Sequence, residues 1–265
     1  PDHLALQLET LTPAIGKETG ARILGFHLEG PFLSPEKPGV MKPQDLAPAN
    51  LETLQKLYQA AQGKIAIITL APELPGIEPL LDFCTVHHIR VQAGHTNASY
   101  EQIQTAVTRG ITGVTHVGNA MSGFHHRAPG VLGAALLTPQ LFCEVIADGK
   151  HVHPALLILL KKTKPIDKII TVTDALLPTG QRQGPFYANG QEVVYQDGVW
   201  KRAPDGVTAG SALTMLEAFK QLVDSGYTLP QAVACTSANA ARYLEVSGTA
   251  LKPNAPANLV CLSNQ

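Results

Sequence analysis

Short runs of β-branched and aliphatic residues recur along the chain, each stopped by a glycine or a polar residue and followed by a stretch with helical spacing. That alternation is the βα rhythm of a parallel sheet. It predicts strands over residues 21–27, 64–69, 90–94, 113–116, 143–147 and 168–173. Helices are predicted over 50–62, over 99–109 behind Asn97 and Ser99 as capping candidates, and over 154–162, where Pro154 stands near the start. From about residue 180 to 205 the rhythm breaks. Residues 186–195 and 198–201, joined at Gln196-Asp197-Gly198, read as a β-hairpin. Helical pattern resumes over 211–225 and 230–244, and a short strand over 258–262 closes the sequence.

Composition narrows the class. Only 15% of the 265 residues are charged, against an average of about 25%, which suits strands buried on both faces and excludes a disordered chain. Twenty basic and 21 acidic residues leave a formal charge of -1, so there is no basic surface for nucleic acid or for an anionic membrane. The apolar run at 155–160 is far below the roughly 20 residues of a membrane span, and no signal pattern opens the chain. Cys84, Cys143, Cys235 and Cys261 lie far apart with no CxxC pair and read as reduced core thiols of a cytoplasmic protein.

The reactive residues fall at predicted strand ends. Glu29 follows the first strand, His95 the third, His116 ends the fourth, Asp148 and His151 follow the fifth, and Asp174 follows the sixth. In a parallel βα barrel the C-terminal strand ends meet at one mouth, where active sites form. One carboxylate and two imidazoles, Glu29, His95 and His116, with a position left open, suit a catalytic divalent ion. Asp174 is the candidate general base. His27 shares the strand side of Glu29 and is placed behind the ligands rather than among them. His87 and His88 are read as structural, His153 as a helix-start residue, and His125 and His126 as loop residues beside Arg127.

Seven segments carry a family resemblance in order: HLEGPFLSPEK at 27–37, GHTNA at 94–98, THVGNAM at 115–121, HRAPG at 126–130, IADGKHVHP at 146–154, VTDA at 172–175 and AGSALTM at 209–215. Together they resemble the N-acetylglucosamine-6-phosphate deacetylases of the amidohydrolase superfamily. The resemblance implies a metal-dependent-hydrolase (β/α)8 TIM-like barrel, here lacking its first strands, plus part of a small β-sandwich. It divides the chain into a barrel over 1–180 and 205–250 and a partial β domain over 181–204 and 251–265. It implies Glu29, His95 and His116 as ligands of one divalent metal ion, zinc first with iron or another ion as the alternative, and Asp174 as the catalytic aspartate. Val40, Asn119, Ala120, Arg127, His151, Thr208, Ala209 and Gly210 match positions that hold the amino-sugar phosphate. A guanidinium fork suits phosphate, which gives Arg127 a physical reason for that role. A homodimer is a further implication.

Two departures stand out. The family's KGAH segment is replaced here by Pro38-Gly39-Val40-Met41, so Met41 stands where a histidine would reach the substrate carbonyl. A thioether donates no hydrogen bond. His125 or His126 could replace it, the metal alone could polarise the carbonyl, or the substrate could be another N-acyl compound. A silent barrel serving as a binding module is the reading from a different class. The second departure is the strand count: six where a closed barrel has eight, so about two strands and roughly a hundred residues are expected to precede residue 1.

Overall fold

The computed structural model describes residues 1–181, 186–188, 190–246, 253, 260 and 261. Six parallel strands form one sheet in chain order: β1 (Phe26–Glu29), β2 (Ile65–Leu70), β3 (Arg90–Ala93), β4 (Ile111–Val114), β5 (Phe142–Ile146) and β6 (Ile169–Val172). Sequential order in a parallel sheet means each crossover moves one strand along, the progression that curls a sheet toward a barrel. The sheet is a half-barrel whose two edges, β1 and β6, remain unpaired with each other among the described residues.

Helices α1 (Asp2–Leu11), α2 (Leu51–Ala60), α3 (Glu78–Val86), α4 (Tyr100–Thr108), α5 (Gly130–Leu137) and α6 (Pro154–Thr163) precede or link these strands. The sequence signals for their ends act as expected. Asn50 accepts the Thr53 amide at the start of α2 at 2.8 Å, Ser99 and Gln102 close a capping box on α4, and His153 caps α6. The helices cover the sheet with a continuous core in which Leu54, Leu57, Leu80, Ile103 and Leu157 are fully buried. All five residues of β5 are buried, as the low charge of the chain suggested.

Four expectations shift. The first strand begins at Phe26 rather than Ala21, so Glu29 is its last residue and not a residue beyond it. The predicted 186–195 strand folds back on itself at Gly190 (φ 65°), giving β7 (Phe186–Ala188) paired antiparallel with β8 (Gln191–Gln196). A turn with positive φ at both Asp197 and Gly198 then leads to β9 (Val199–Arg202), and β10 (Thr208–Ser211) pairs with β9 in a four-stranded sheet. Ser211 therefore ends a strand, and α7 (Met215–Asp224) starts four residues later behind the Thr214–Glu217 capping box. The predicted 230–244 helix is α8 (Leu229–Val233), a π-helical turn over Ala234–Ala238, and α9 (Asn239–Tyr243). Apart from residues 260 and 261, the expected 258–262 strand lies outside the described residues.

The two sheets meet at the mouth. Ala175 bridges Ser211 in parallel, the Ser211 amide donates to the Asp174 carbonyl at 2.9 Å, and the Leu176 amide donates to the Ser211 carbonyl at 3.2 Å. A Cβ on Gly210 would lie 2.7 Å from Leu176 Cγ, so this close approach requires glycine. Cys84, Cys143 and Cys235 are buried in the core, with burial pushing their thiols up to about 12, 11 and 12. Cys261 departs from the expected core position: it is exposed. No helix among the described residues is long and apolar enough to cross a membrane.

Candidate metal and substrate site

Glu29, His95 and His116 arrive at the same point from β1 and from the segments following β3 and β4. Glu29 Oε1 lies 2.9 Å from His95 Nε2 and 2.7 Å from His116 Nε2, and the two nitrogens are 3.2 Å apart. Both rings are nearly fully buried. The Lys37 carbonyl sits 2.9 Å from His95 Nδ1 and so accepts its proton, which leaves the Nε2 lone pair for a ligand. Lone pairs thus converge from one carboxylate and two imidazoles, a donor set matched to zinc or a similar divalent ion.

The electrostatics of the cluster reflect the same crowding. Burial works against charge on both partners, but hydrogen bonding and attraction outweigh it. His116 and His95 hold Glu29 well below the usual carboxylate range, while Glu29 carries His116 up to about 9. His116 Nδ1 is buried with no hydrogen-bond partner among the described residues. Asp174 behaves in the opposite sense. Burial first, then the charge of Glu29, raises its carboxyl above the ordinary aspartate value.

The pocket around this cluster is lined by Glu29, Gly39, Val40, Met41, His95, His116, Asn119, Ala120, Ile146, His151, Asp174, Leu176 and the strand residues Thr208, Ala209 and Gly210. The predicted site residues Val40, Asn119, Ala120, His151, Asp174, Thr208, Ala209 and Gly210 are therefore gathered in one place. Arg127 is not among them. It is exposed on the loop between β4 and α5, beside His125 and His126, whose rings lie 4.1 Å apart at a tilt of 44° and also stay out of the pocket. Met41 does line the pocket, so neither loop histidine takes its place there. His87 packs against Tyr58 and Phe83, away from the mouth.

Backbone conformation marks the same residues. Eight described non-glycine residues have positive φ, and four of them, His95 (46°), His116 (32°), Ala120 (46°) and Asp174 (49°), line this pocket. Such conformations cost energy for a side-chain-bearing residue and cluster where a site is over-determined by its surroundings. The loop over His95 is equally constrained. A Cβ on Gly39 (φ 58°) would come within 2.9 Å of the His95 ring.

Beneath the ligands runs a polar chain that the sequence reading noticed only at His27. The Thr115 hydroxyl donates to Gln92 Oε1 at 2.6 Å, and Gln92 Nε2 donates to Glu144 Oε1 at 2.9 Å. Thr115 has one proton, so Thr69 must donate to it across 2.6 Å, and Thr69 in turn accepts from His27 Nε2 at 2.7 Å. Five side chains carried by β1 to β5 and their ends are joined in one direction, and burial pushes the Glu144 carboxyl up. Their signal in the sequence was a polar residue at an interior position of an otherwise apolar strand.

The chain is similar to enzymes of known activity. It is 34% identical over 248 residues to an N-acetylgalactosamine-6-phosphate deacetylase from Escherichia coli O157:H7, covering 92% of this chain and 65% of that one. It is 37% identical over 228 residues to an N-acetylglucosamine-6-phosphate deacetylase from Bacillus subtilis, covering 86% and 57%. Among solved structures, the N-acetylglucosamine-6-phosphate deacetylase of Pasteurella multocida superimposes with a TM-score of 0.84 at 33% identity, covering 93% of this chain and 64% of that one. A Mycobacterium smegmatis D267A variant in complex with N-acetyl-D-glucosamine-6-phosphate gives 0.87 at 29% identity, covering 93% and 65%. The chain thus spans from somewhat over half to about two thirds of the length of these relatives. With residues 6–264 matching its model, the chain belongs to the amidohydrolase family.

Proposed function

We propose that the protein hydrolyses the N-acetyl group of N-acetylglucosamine 6-phosphate, giving glucosamine 6-phosphate and acetate, with one divalent ion held by Glu29, His95 and His116. The observation that carries this reading is the meeting of those three ligand atoms within 4.8 Å of one another, in a pocket that also holds Asp174. The names and structures of the relatives support the substrate class.

An amide is a poor electrophile and water a poor nucleophile at neutral pH. When bound, a divalent ion, zinc in this proposal, supplies Lewis acidity to the carbonyl and to the attacking water. Asp174 accepts the water proton as the new C–O bond forms, then returns it to the nitrogen as the C–N bond breaks. Its raised pKa suits a group that must take a proton and then release it. Lys37 and the constrained Gly39 keep the His95 ring oriented. Val40, Asn119, Ala120, His151 and Thr208 to Gly210 line the space for the sugar phosphate, and Arg127 would reach a phosphate only from outside this pocket. A cytoplasmic homodimer, and a division into barrel and small β domain, belong to the same proposal.

One relative acts on the galactosamine isomer, which favours a second reading with that substrate. Turnover of N-acetylglucosamine 6-phosphate, N-acetylgalactosamine 6-phosphate and unphosphorylated N-acetylglucosamine separates the two. The glucosamine phosphate is expected to have the highest kcat/KM. A preference for the galactosamine isomer would replace the substrate, and equal rates with and without phosphate would remove the sugar-phosphate reading.

A further inference from the structure

Asp148 has no part in the chemistry described so far, yet it is built as carefully as the ligands. Its Oδ1 accepts the backbone amides of Lys150 and His151, each at 2.8 Å, and its Oδ2 takes His151 Nδ1 at 2.6 Å. The two side chains are only 6% and 8% exposed. Burial opposes charge on Asp148, but the His151 ring and the two backbone donors hold its carboxyl below the ordinary aspartate value. An ionised carboxylate therefore faces Nδ1, and Nε2 has no hydrogen-bond partner among the described residues.

The neighbourhood gives that nitrogen a task. His151 lines the pocket with Asp174, and Asp174 and Glu29 bring negative charge there. Among the described residues no Lys or Arg lines the pocket, so outside the metal ligands His151 is its one basic side chain. A dianionic phosphate entering this space needs a donor that also carries positive charge. A carboxylate on Nδ1 stabilises the imidazolium form.

We propose that Asp148 is a positioning residue of the site: by holding the Nδ1 proton of His151, it keeps the imidazole doubly protonated, with its Nε2–H offered to the substrate phosphate. This rests on the sugar-phosphate reading above. Asp148 touches no substrate and acts through the ring. Asp148→Asn tests it with almost no change of shape. The two backbone amides still require an oxygen at the Oδ1 position, so the new NH2 faces Nδ1, makes that nitrogen an acceptor and removes the imidazolium.

The measurement is 15N NMR of the His151 ring in metal-loaded protein titrated with inorganic phosphate, assigned with His151→Gln, alongside steady-state kinetics. Wild-type protein is expected to carry protons on both ring nitrogens when phosphate is bound, and Asp148→Asn on Nε2 alone. Loss of one charge-assisted contact should weaken phosphate binding, and raise KM for the sugar phosphate, by about 10- to 100-fold, with kcat changing less. The double variant Asp148→Asn/His151→Gln should bind phosphate no more weakly than His151→Gln. A singly protonated His151 in the wild-type phosphate complex, an unchanged phosphate affinity in Asp148→Asn, or additive losses in the double variant would each overturn the proposal. Phosphate binding that follows the expected pattern without any deacetylation would instead sink the deacetylase reading.

Discussion

Asp174, Gly39 and His116 have distinct parts in the proposed chemistry. Asp174→Asn removes the proposed proton acceptor and leaves the three candidate ligands in place. It should lower kcat by about 100- to 10,000-fold with the metal content unchanged, as measured by steady-state kinetics beside elemental analysis. Gly39→Ala would drive a Cβ into the His95 ring and strain a left-handed position. It should weaken metal binding in a chelator competition while the fold persists. His116 has a pH signature. Its pKa rises from 6.5 to about 9 on folding, so the stabilisation from its charge is complete below 6.5 and disappears as pH climbs to about 9. Metal-free protein should therefore lose stability across that interval, and a titrating metal should release protons and bind more tightly as pH rises. A flat denaturation midpoint between pH 6.5 and 9 would contradict the assignment. At this scale the sequence was most informative where chemistry is specific: Glu29, His95, His116 and Asp174 are rare combinations at strand ends. Arg127 stands on an exposed loop outside the pocket, a placement set by tertiary contacts that residue type does not encode.

Elements were legible where local rules decide them. The Ser99 cap and the Asp197-Gly198 turn stand in the structure where their residue types place them. Ser99→Ala should cost about 0.5–2 kcal/mol in chemical denaturation and leave turnover intact, since α4 lies outside the pocket. The failures share a cause. Residues 21–25 have strand-like composition but no partner until Phe26 meets Ile65, and pairing rather than propensity sets the start of β1. Gly190 breaks the 186–195 run because a hairpin there lets Phe186 face Val193. β10 lies outside every predicted strand, since Thr208–Ser211 becomes a strand only by pairing with β9.

For the whole molecule, the order of ligand-bearing strands made the half-barrel predictable, because sequential parallel strands turn distant residues into neighbours. The polar chain from His27 to Glu144 was less visible: its members come from β1 to β5 and their ends, and acquire meaning only once those strands are side by side. The proposed activity depends on that convergence holding a metal that supports amide hydrolysis. The most direct test is to load purified protein with zinc, remove excess metal, and follow acetate release from N-acetylglucosamine 6-phosphate against the metal content. One ion per chain is expected, with acetate and glucosamine 6-phosphate appearing in equal amounts and both the metal and the activity lost in His116→Ala. Stoichiometric metal with no acetate, or acetate release that survives complete metal removal, would contradict it.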